Sequence, residues 1–173
     1  MDDSKTQQAL RIAILALLAV LVGVLVTTLH ERIVVVGDSA PDFSITTDSG
    51  RTMSAANFGG KLLILNFWAT WCPPCVDEFP SLNRMAAGLA GSGVVVLAVS
   101  VDKDEKAYRT FLERNRPSML TARDPQVKIS ADYGTFRYPE TYIIDSQGKV
   151  VRKYINSQPW DDERMINDIR SLL

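Results

Sequence analysis

The apolar positions of this 173-residue chain fall into one long block followed by a series of short, regularly spaced runs. Residues 12–29 hold no charged side chain, and only Gly23, Thr27 and Thr28 among them are not strongly apolar. As a helix, 18 such residues rise about 27 Å, close to the roughly 30 Å thickness of a bilayer's hydrocarbon. Ala9 and Leu10 extend the block if Arg11 snorkels to the headgroups, so a span is expected over about residues 10–29, ended by His30, Glu31 and Arg32. A cleavable signal peptide has a shorter core of about 7–15 residues and a small-x-small site directly after it. Here Gly37-Asp38-Ser39 lies far from the core, and no cysteine follows that lipid could modify. Residues 1–37 are therefore read as an uncleaved anchor and tether, and residues 38–173 as one domain.

In the second part the period changes from run to run. Residues 33–36 are a short apolar patch, either a strand or an interfacial segment. Residues 43–47 and 51–53 flank Asp48-Ser49-Gly50 and predict a small hairpin. The continuous apolar runs 62–67 and 94–101 predict strands buried on both faces. Between them, Val76, Phe79, Leu82, Met85, Ala86 and Leu89 recur at helical spacing over 75–90, with Pro80 expected to kink the helix. Asp104 is placed to cap a helix that carries Ala107, Tyr108, Phe111 and Leu112. A weak strand over 119–122 and a short helix over 125–133 follow. The segments 141–145 and 149–155 then predict a hairpin. A last helix, with Asp161 as its N-cap, has Met165, Ile166, Ile169, Leu172 and Leu173 on one face, and Trp160 as a staple at its start. Strands alternating with helices and closing on a hairpin predict an α/β sandwich around a mixed sheet.

Charge and composition narrow the function. Residues 38–173 carry 16 basic and 17 acidic side chains, without the basic excess of a nucleic-acid binder, so no nucleic-acid partner is expected. Two cysteines are too few for a disulfide scaffold. One histidine leaves no multi-histidine metal site, and no metal is expected. Lys5 and Arg11 precede the span and only Arg32 closely follows it. This bias puts the N-terminus in the cytoplasm and the domain outside.

The two cysteines stand in Trp71-Cys72-Pro73-Pro74-Cys75, where a buried strand hands over to a helix. A thiol at a helix N-terminus faces the positive end of the helix dipole, which favours thiolate, the attacking form. Cys75 lies one turn on and can close a disulfide with Cys72 or resolve a mixed one. Both prolines suit the first helical turn but lack N–H groups, leaving those of Cys75 and Val76 to face the sulfur. The Cys72 thiolate is therefore expected to be stabilised only moderately. An inert structural disulfide across so short a loop adds little rigidity and has no need of this position.

The run from Asn66 to Cys75, then Glu78-Phe79-Pro80, with Ala40-Pro41-Asp42-Phe43, Gly60-Lys61 and the run from Tyr138 to Asp145, resembles the membrane-anchored thioredoxin-like proteins of the TlpA, ResA and DsbE (CcmG) type. The resemblance covers about residues 37–173. It implies a thioredoxin-like three-layer sandwich, Cys72 as nucleophile and Cys75 as resolving thiol. It also implies that Pro139 is a cis-proline, with Tyr138 exposing its backbone to an extended substrate. Trp71 is read as a lip beside the sulfur. Thioredoxin has a buried aspartate where this chain has Asn66. Of the remaining carboxylates, Glu140 directly follows the proline and is expected to help deprotonate Cys75, while Glu78 is left between a solvated helix position and a role. Tyr138 is bulkier than the small residue often found before this proline.

These features predict a membrane-tethered thiol–disulfide oxidoreductase that reduces disulfides in extracytoplasmic proteins. The resemblance implies apocytochrome c as the foremost substrate class and a membrane electron donor that recharges the dithiol. The expected location is the bacterial cytoplasmic membrane, with the domain on its periplasmic side. The only redox group expected is the Cys72–Cys75 disulfide, with no separate cofactor. Two alternatives use the same residues: a disulfide-forming oxidase, and a non-enzymatic peptide-binding module.

Overall fold

A computed structural model describes residues 3–28 and 33–173. The expected end of the span at residues 29–32, and the start of the tether with it, lie outside the described residues. The chain divides into two compact units, the first ending at Arg32 and the second spanning Ile33–Leu173. The first contains helix α1 (Asp3–Thr28). Its segment Gln7–Val24 is, among the described residues, the one helical stretch long and apolar enough to cross a membrane.

The second unit opens with the expected hairpin, β1 (Ser44–Thr46) and β2 (Thr52–Ser54), paired antiparallel. Then come β3 (Leu62–Trp68), α2 (Pro73–Gly88), β4 (Val94–Ser100), α3 (Glu105–Asn115) and β5 (Leu120–Arg123). The chain ends with α4 (Lys128–Asp132), β6 (Glu140–Asp145), β7 (Val150–Ile155) and α5 (Glu163–Arg170). The sheet runs β5-β4-β3-β6-β7. β3 is parallel to β4, and β4 to β5, while β6 is antiparallel to both β3 and β7. This is the mixed-sheet thioredoxin-like architecture.

Every residue of β3 is buried, which is why its sequence, Asn66 apart, is apolar throughout rather than alternating. Side chains alternate across the sheet. Leu62, Ile64 and Trp68 join Phe79, Leu82 and Met85 of α2, Tyr108 of α3 and Ile169 of α5 in one core layer. Leu63, Leu65 and Phe67 join Met53, Ile129, Tyr142 and Ile144 in the other. The disulfide cysteines belong to the first layer.

One local expectation is corrected: Asp162, not Asp161, caps α5 by accepting a hydrogen bond from the Arg164 N–H; Asp161 instead pairs with Arg84 at 2.7 Å. Pro80 lies inside α2, on its exposed side. Of the two readings of residues 33–36, the strand does not form. Ile33, Val35 and Val36 are exposed, but Val34 is buried in the second core layer. Its N–H donates to the Tyr133 carbonyl at 3.2 Å, and its carbonyl accepts from Lys153 Nζ at 2.9 Å. The folded unit thus starts before Asp38. A soluble form beginning at Ile33 is expected to be more stable than one beginning at Asp38 by about 2 kcal/mol, the scale of one buried valine. Denaturant midpoints at equal m-value measure the difference.

Candidate active site

The end of β3 delivers Ala69 and Thr70 to the sheet's upper edge, and α2 begins at Pro73 with Cys72 as its N-cap residue. The loop between them is clamped by a residue the sequence reading passed over. Asp102, buried just beyond β4, accepts from the Thr70 N–H at 2.9 Å and from Thr70 Oγ at 2.7 Å. Ser100 Oγ donates to the same carboxylate at 2.7 Å. The available signal was an acidic residue directly after an otherwise apolar strand.

Cys72 and Cys75 are joined as a disulfide, with their Cα atoms 5.3 Å apart. Both are buried, while Trp71 beside them is exposed. The N–H groups of Cys75 and Val76, expected to face the sulfur, both donate to the Cys72 carbonyl at 3.1 Å. Pro73 and Pro74 have none to offer. Little beyond the helix dipole remains to stabilise a thiolate at Cys72.

On the far side of the sulfur lies the loop before β6. The Tyr138–Pro139 bond is cis, and the Tyr138 carbonyl oxygen is 3.4 Å from Cys72 Sγ. The Tyr138 ring meets Trp71 edge-on, with centroids 6.0 Å apart, and its hydroxyl is 3.2 Å from Ser130 Oγ in α4. The structure therefore brings Trp71, Cys72, Cys75, Tyr138 and Pro139 together.

Glu140 is not part of that group. Thr141 pairs with Asn66 and accepts from its Nδ2 at 2.9 Å, on the face where α2 packs. Alternation then sends Glu140, like Tyr142 and Ile144, to the opposite face of the sheet. There its carboxylate pairs with Lys153 Nζ at 2.8 Å, and that ammonium also lies 5.1 Å above the Tyr142 ring. The carboxylate on the disulfide's own side is Glu78. It follows Cys75 by about one turn on the buried face of α2. Its oxygens accept from Asn66 Nδ2, Trp160 Nε1 and the Gln158 N–H, each at 3.0 Å. Burial raises its pKa above the ordinary carboxylate value, and these three hydrogen bonds only partly offset the rise. Trp160, in the turn before the last helix, is thus a partner of Glu78. Among the described residues, no group of three or more His, Cys, Asp or Glu is arranged to hold a metal ion.

Comparison with known proteins agrees with this geometry. Residues 36–153 match the AhpC/TSA family. The thiol-disulfide oxidoreductase ResA of Geobacillus kaustophilus is 33% identical over 172 residues, covering 96% of this chain and 99% of its own. ResA of Bacillus cereus is 34% identical over 71% of each chain. A crystal structure from Chlorobium tepidum, assigned as the thiol:disulfide interchange protein DsbE, superposes with a TM-score of 0.73 at 31% identity. It covers 80% of this chain and 98% of that one.

Proposed function

The chain belongs to the AhpC/TSA family and is a thiol–disulfide oxidoreductase of the ResA/DsbE type; from that premise we propose that it is a membrane-tethered reductase of extracytoplasmic protein disulfides. Cys72 thiolate attacks one sulfur of the substrate disulfide, the substrate S–S bond breaks, and the departing thiolate takes up a proton. Cys75, deprotonated, then attacks Cys72 Sγ and releases the second substrate thiol. The protein loses two electrons as the substrate gains two, and the product is the Cys72–Cys75 disulfide. The backbone beside Pro139 receives an extended substrate segment at Tyr138, and Trp71 covers the exchanging sulfurs.

The direction rests on one observation: the N–H groups nearest Cys72 are spent on its own carbonyl or absent. A strongly oxidising member of this chemistry needs a stabilised thiolate in its reduced form, and this site lacks the donors for one. Equilibration of the full chain with a glutathione or dithiothreitol couple should place its potential nearer thioredoxin's, about −270 mV, than the strong-oxidant value of about −120 mV. A value at the oxidising end would reverse the assignment to disulfide formation.

Glu78 takes the role first expected of Glu140, accepting the Cys75 proton. A buried carboxylate with a raised pKa, close along the same helix face, is suited to it. Replacing it by glutamine keeps a hydrogen-bonding group against Asn66 and Trp160 but leaves no base. Release of product from the mixed disulfide is expected to slow about 100-fold at pH 7. Stability should move the other way. A carboxyl whose pKa is raised on folding loses stabilisation as pH climbs through the raised value. The melting temperature of Glu78→Gln relative to the parent should therefore increase from pH 4 to pH 8.

The tether raises the local concentration of the dithiol at membrane-bound partners. The charge bias across the span favours the outer side of the cytoplasmic membrane for the domain. Likeness to the ResA and DsbE proteins favours the paired haem-attachment cysteines of apocytochrome c as substrate, and a membrane electron donor for recharging.

A further inference from the structure

Five of the seven large apolar side chains exposed on residues 33–173 gather round one buried residue, Val34. Ile33, Val35 and Val36 adjoin it in the chain. Phe136 stands three residues beyond Tyr133, whose carbonyl accepts the Val34 N–H at 3.2 Å. Ile155 stands two residues beyond Lys153, whose ammonium donates to the Val34 carbonyl at 2.9 Å, and alternation puts both on one face of β7. A single exposed apolar side chain is ordinary. A cluster of them marks an interaction surface.

Charge is sparse over the same surface. Residues 33–37, 134–139 and 155–159 hold one charged side chain, Arg137, where residues 38–173 hold 33. The Arg137 guanidinium lies 5.7 Å from the Phe136 ring, so a cation stands beside the apolar groups, with no carboxylate in these segments. The length of the chain selects the occupant. Residues 30–32 alone separate the apolar block from Ile33, and extended chain from residue 29 to residue 33 covers at most about 14 Å. Because Val34 is fastened to the folded unit, its exposed neighbours stay close to the surface of any bilayer that the block spans. Ile155 pairs with Glu140, and Glu140 with Phe67, so the cluster extends to the end of the sheet where β3 passes to the cysteine loop.

We propose that this patch rests in the bilayer interface. Ile33, Val35, Val36, Phe136 and Ile155 enter the boundary between headgroups and acyl chains, and Arg137 meets lipid phosphates. The inference rests on the reading of residues 10–29 as a membrane span. Its consequence is that Cys72 is held beside the bilayer, where disulfides near the membrane surface are favoured over those free in solution.

The test uses the full chain in vesicles of phosphatidylcholine and phosphatidylglycerol. The photoreactive residue p-benzoylphenylalanine is placed at Phe136 in one protein, and in another at Gln147, exposed in the turn at the opposite end of the sheet. After irradiation, intact-mass measurement gives the share of each protein that carries a lipid adduct. A side chain seated about 5–10 Å into the interface should label about tenfold more than one held away from it. Val36→Asp, which puts a charge on the exposed patch, should lower the yield at position 136 several-fold. Equal yields at the two positions, or none at 136, in protein that alkaline carbonate leaves in the vesicles would overturn the inference alone. Adducts at 136 that join to protein rather than lipid would also overturn it, in favour of a protein partner. Release of the parent protein by alkaline carbonate would overturn the anchor reading beneath it as well.

Discussion

Cys75→Ser is expected to turn the protein into a covalent trap. Cys72 remains able to attack, but no thiol one turn away can displace the substrate, so the reaction stops at the mixed disulfide. Two structural features make this the largest effect. Both cysteines are buried, so outside thiols reach the mixed disulfide poorly, and they are the only cysteines in the chain. Adducts separated on non-reducing gels and released by reductant would name the substrates directly. Cys72→Ala should yield no adducts, with turnover of a model disulfide lower by on the order of 10³-fold or more, as removal of a nucleophile typically costs. Abundant adducts with Cys72→Ala would show that the two roles are exchanged. A complete lack of adducts with Cys75→Ser, in cells where the protein is folded and membrane-bound, would favour the non-enzymatic binding module.

Lys153→Met should produce the largest loss of stability. Lys153 and Glu140 form an ion pair whose side chains are only 11% and 5% exposed, so solvent screens it little. Removing the ammonium leaves a carboxylate enclosed by the second core layer without its counter-charge, and also frees the Val34 carbonyl. Breaking one side of such a pair costs about 3–5 kcal/mol, to be read as a fall in the urea midpoint at constant m-value. The double variant Lys153→Met, Glu140→Met should recover most of it, because the charge that was costly to bury is gone. Recovery would establish Glu140 as a structural group. If Glu140→Met on the parent background instead slowed exchange as strongly as loss of Glu78, the two carboxylates would have to share the proton-transfer role.

The contrast between these carboxylates shows where sequence reading stops. Glu140 was conspicuous because it adjoins Pro139, and the carbonyl of Tyr138, just before that proline, does lie 3.4 Å from Cys72 Sγ. Adjacency along a strand, however, reverses the facing direction at each step. Thr141 takes the disulfide side by pairing with Asn66, so Glu140 takes the other. Glu78 stays undecided between a solvated position and a role, since its partners are 12 to 82 residues away in the chain. Asp102 was inconspicuous, because what it holds, Thr70, lies 32 residues earlier. The place of Val34 in the folded unit is hard to read along the chain for a related reason. Val34 belongs to a short apolar patch whose period does not reveal which of its members finds a core.

The local properties of the chain were decided by the sequence alone. They are a helix apolar enough to span a bilayer, two buried strands recognisable as largely apolar runs without alternation, and a pair of thiols where one of those strands becomes a helix. Each depends on residues within a few positions of one another, where period, capping and turn chemistry act directly. Only the tertiary structure decided which carboxylate lies on the thiols' side of the sheet and which aspartate holds their loop. Those outcomes depend on strand register and on contacts across the sheet, and no short-range pattern of side chains encodes which face of a distant strand will be turned toward the site.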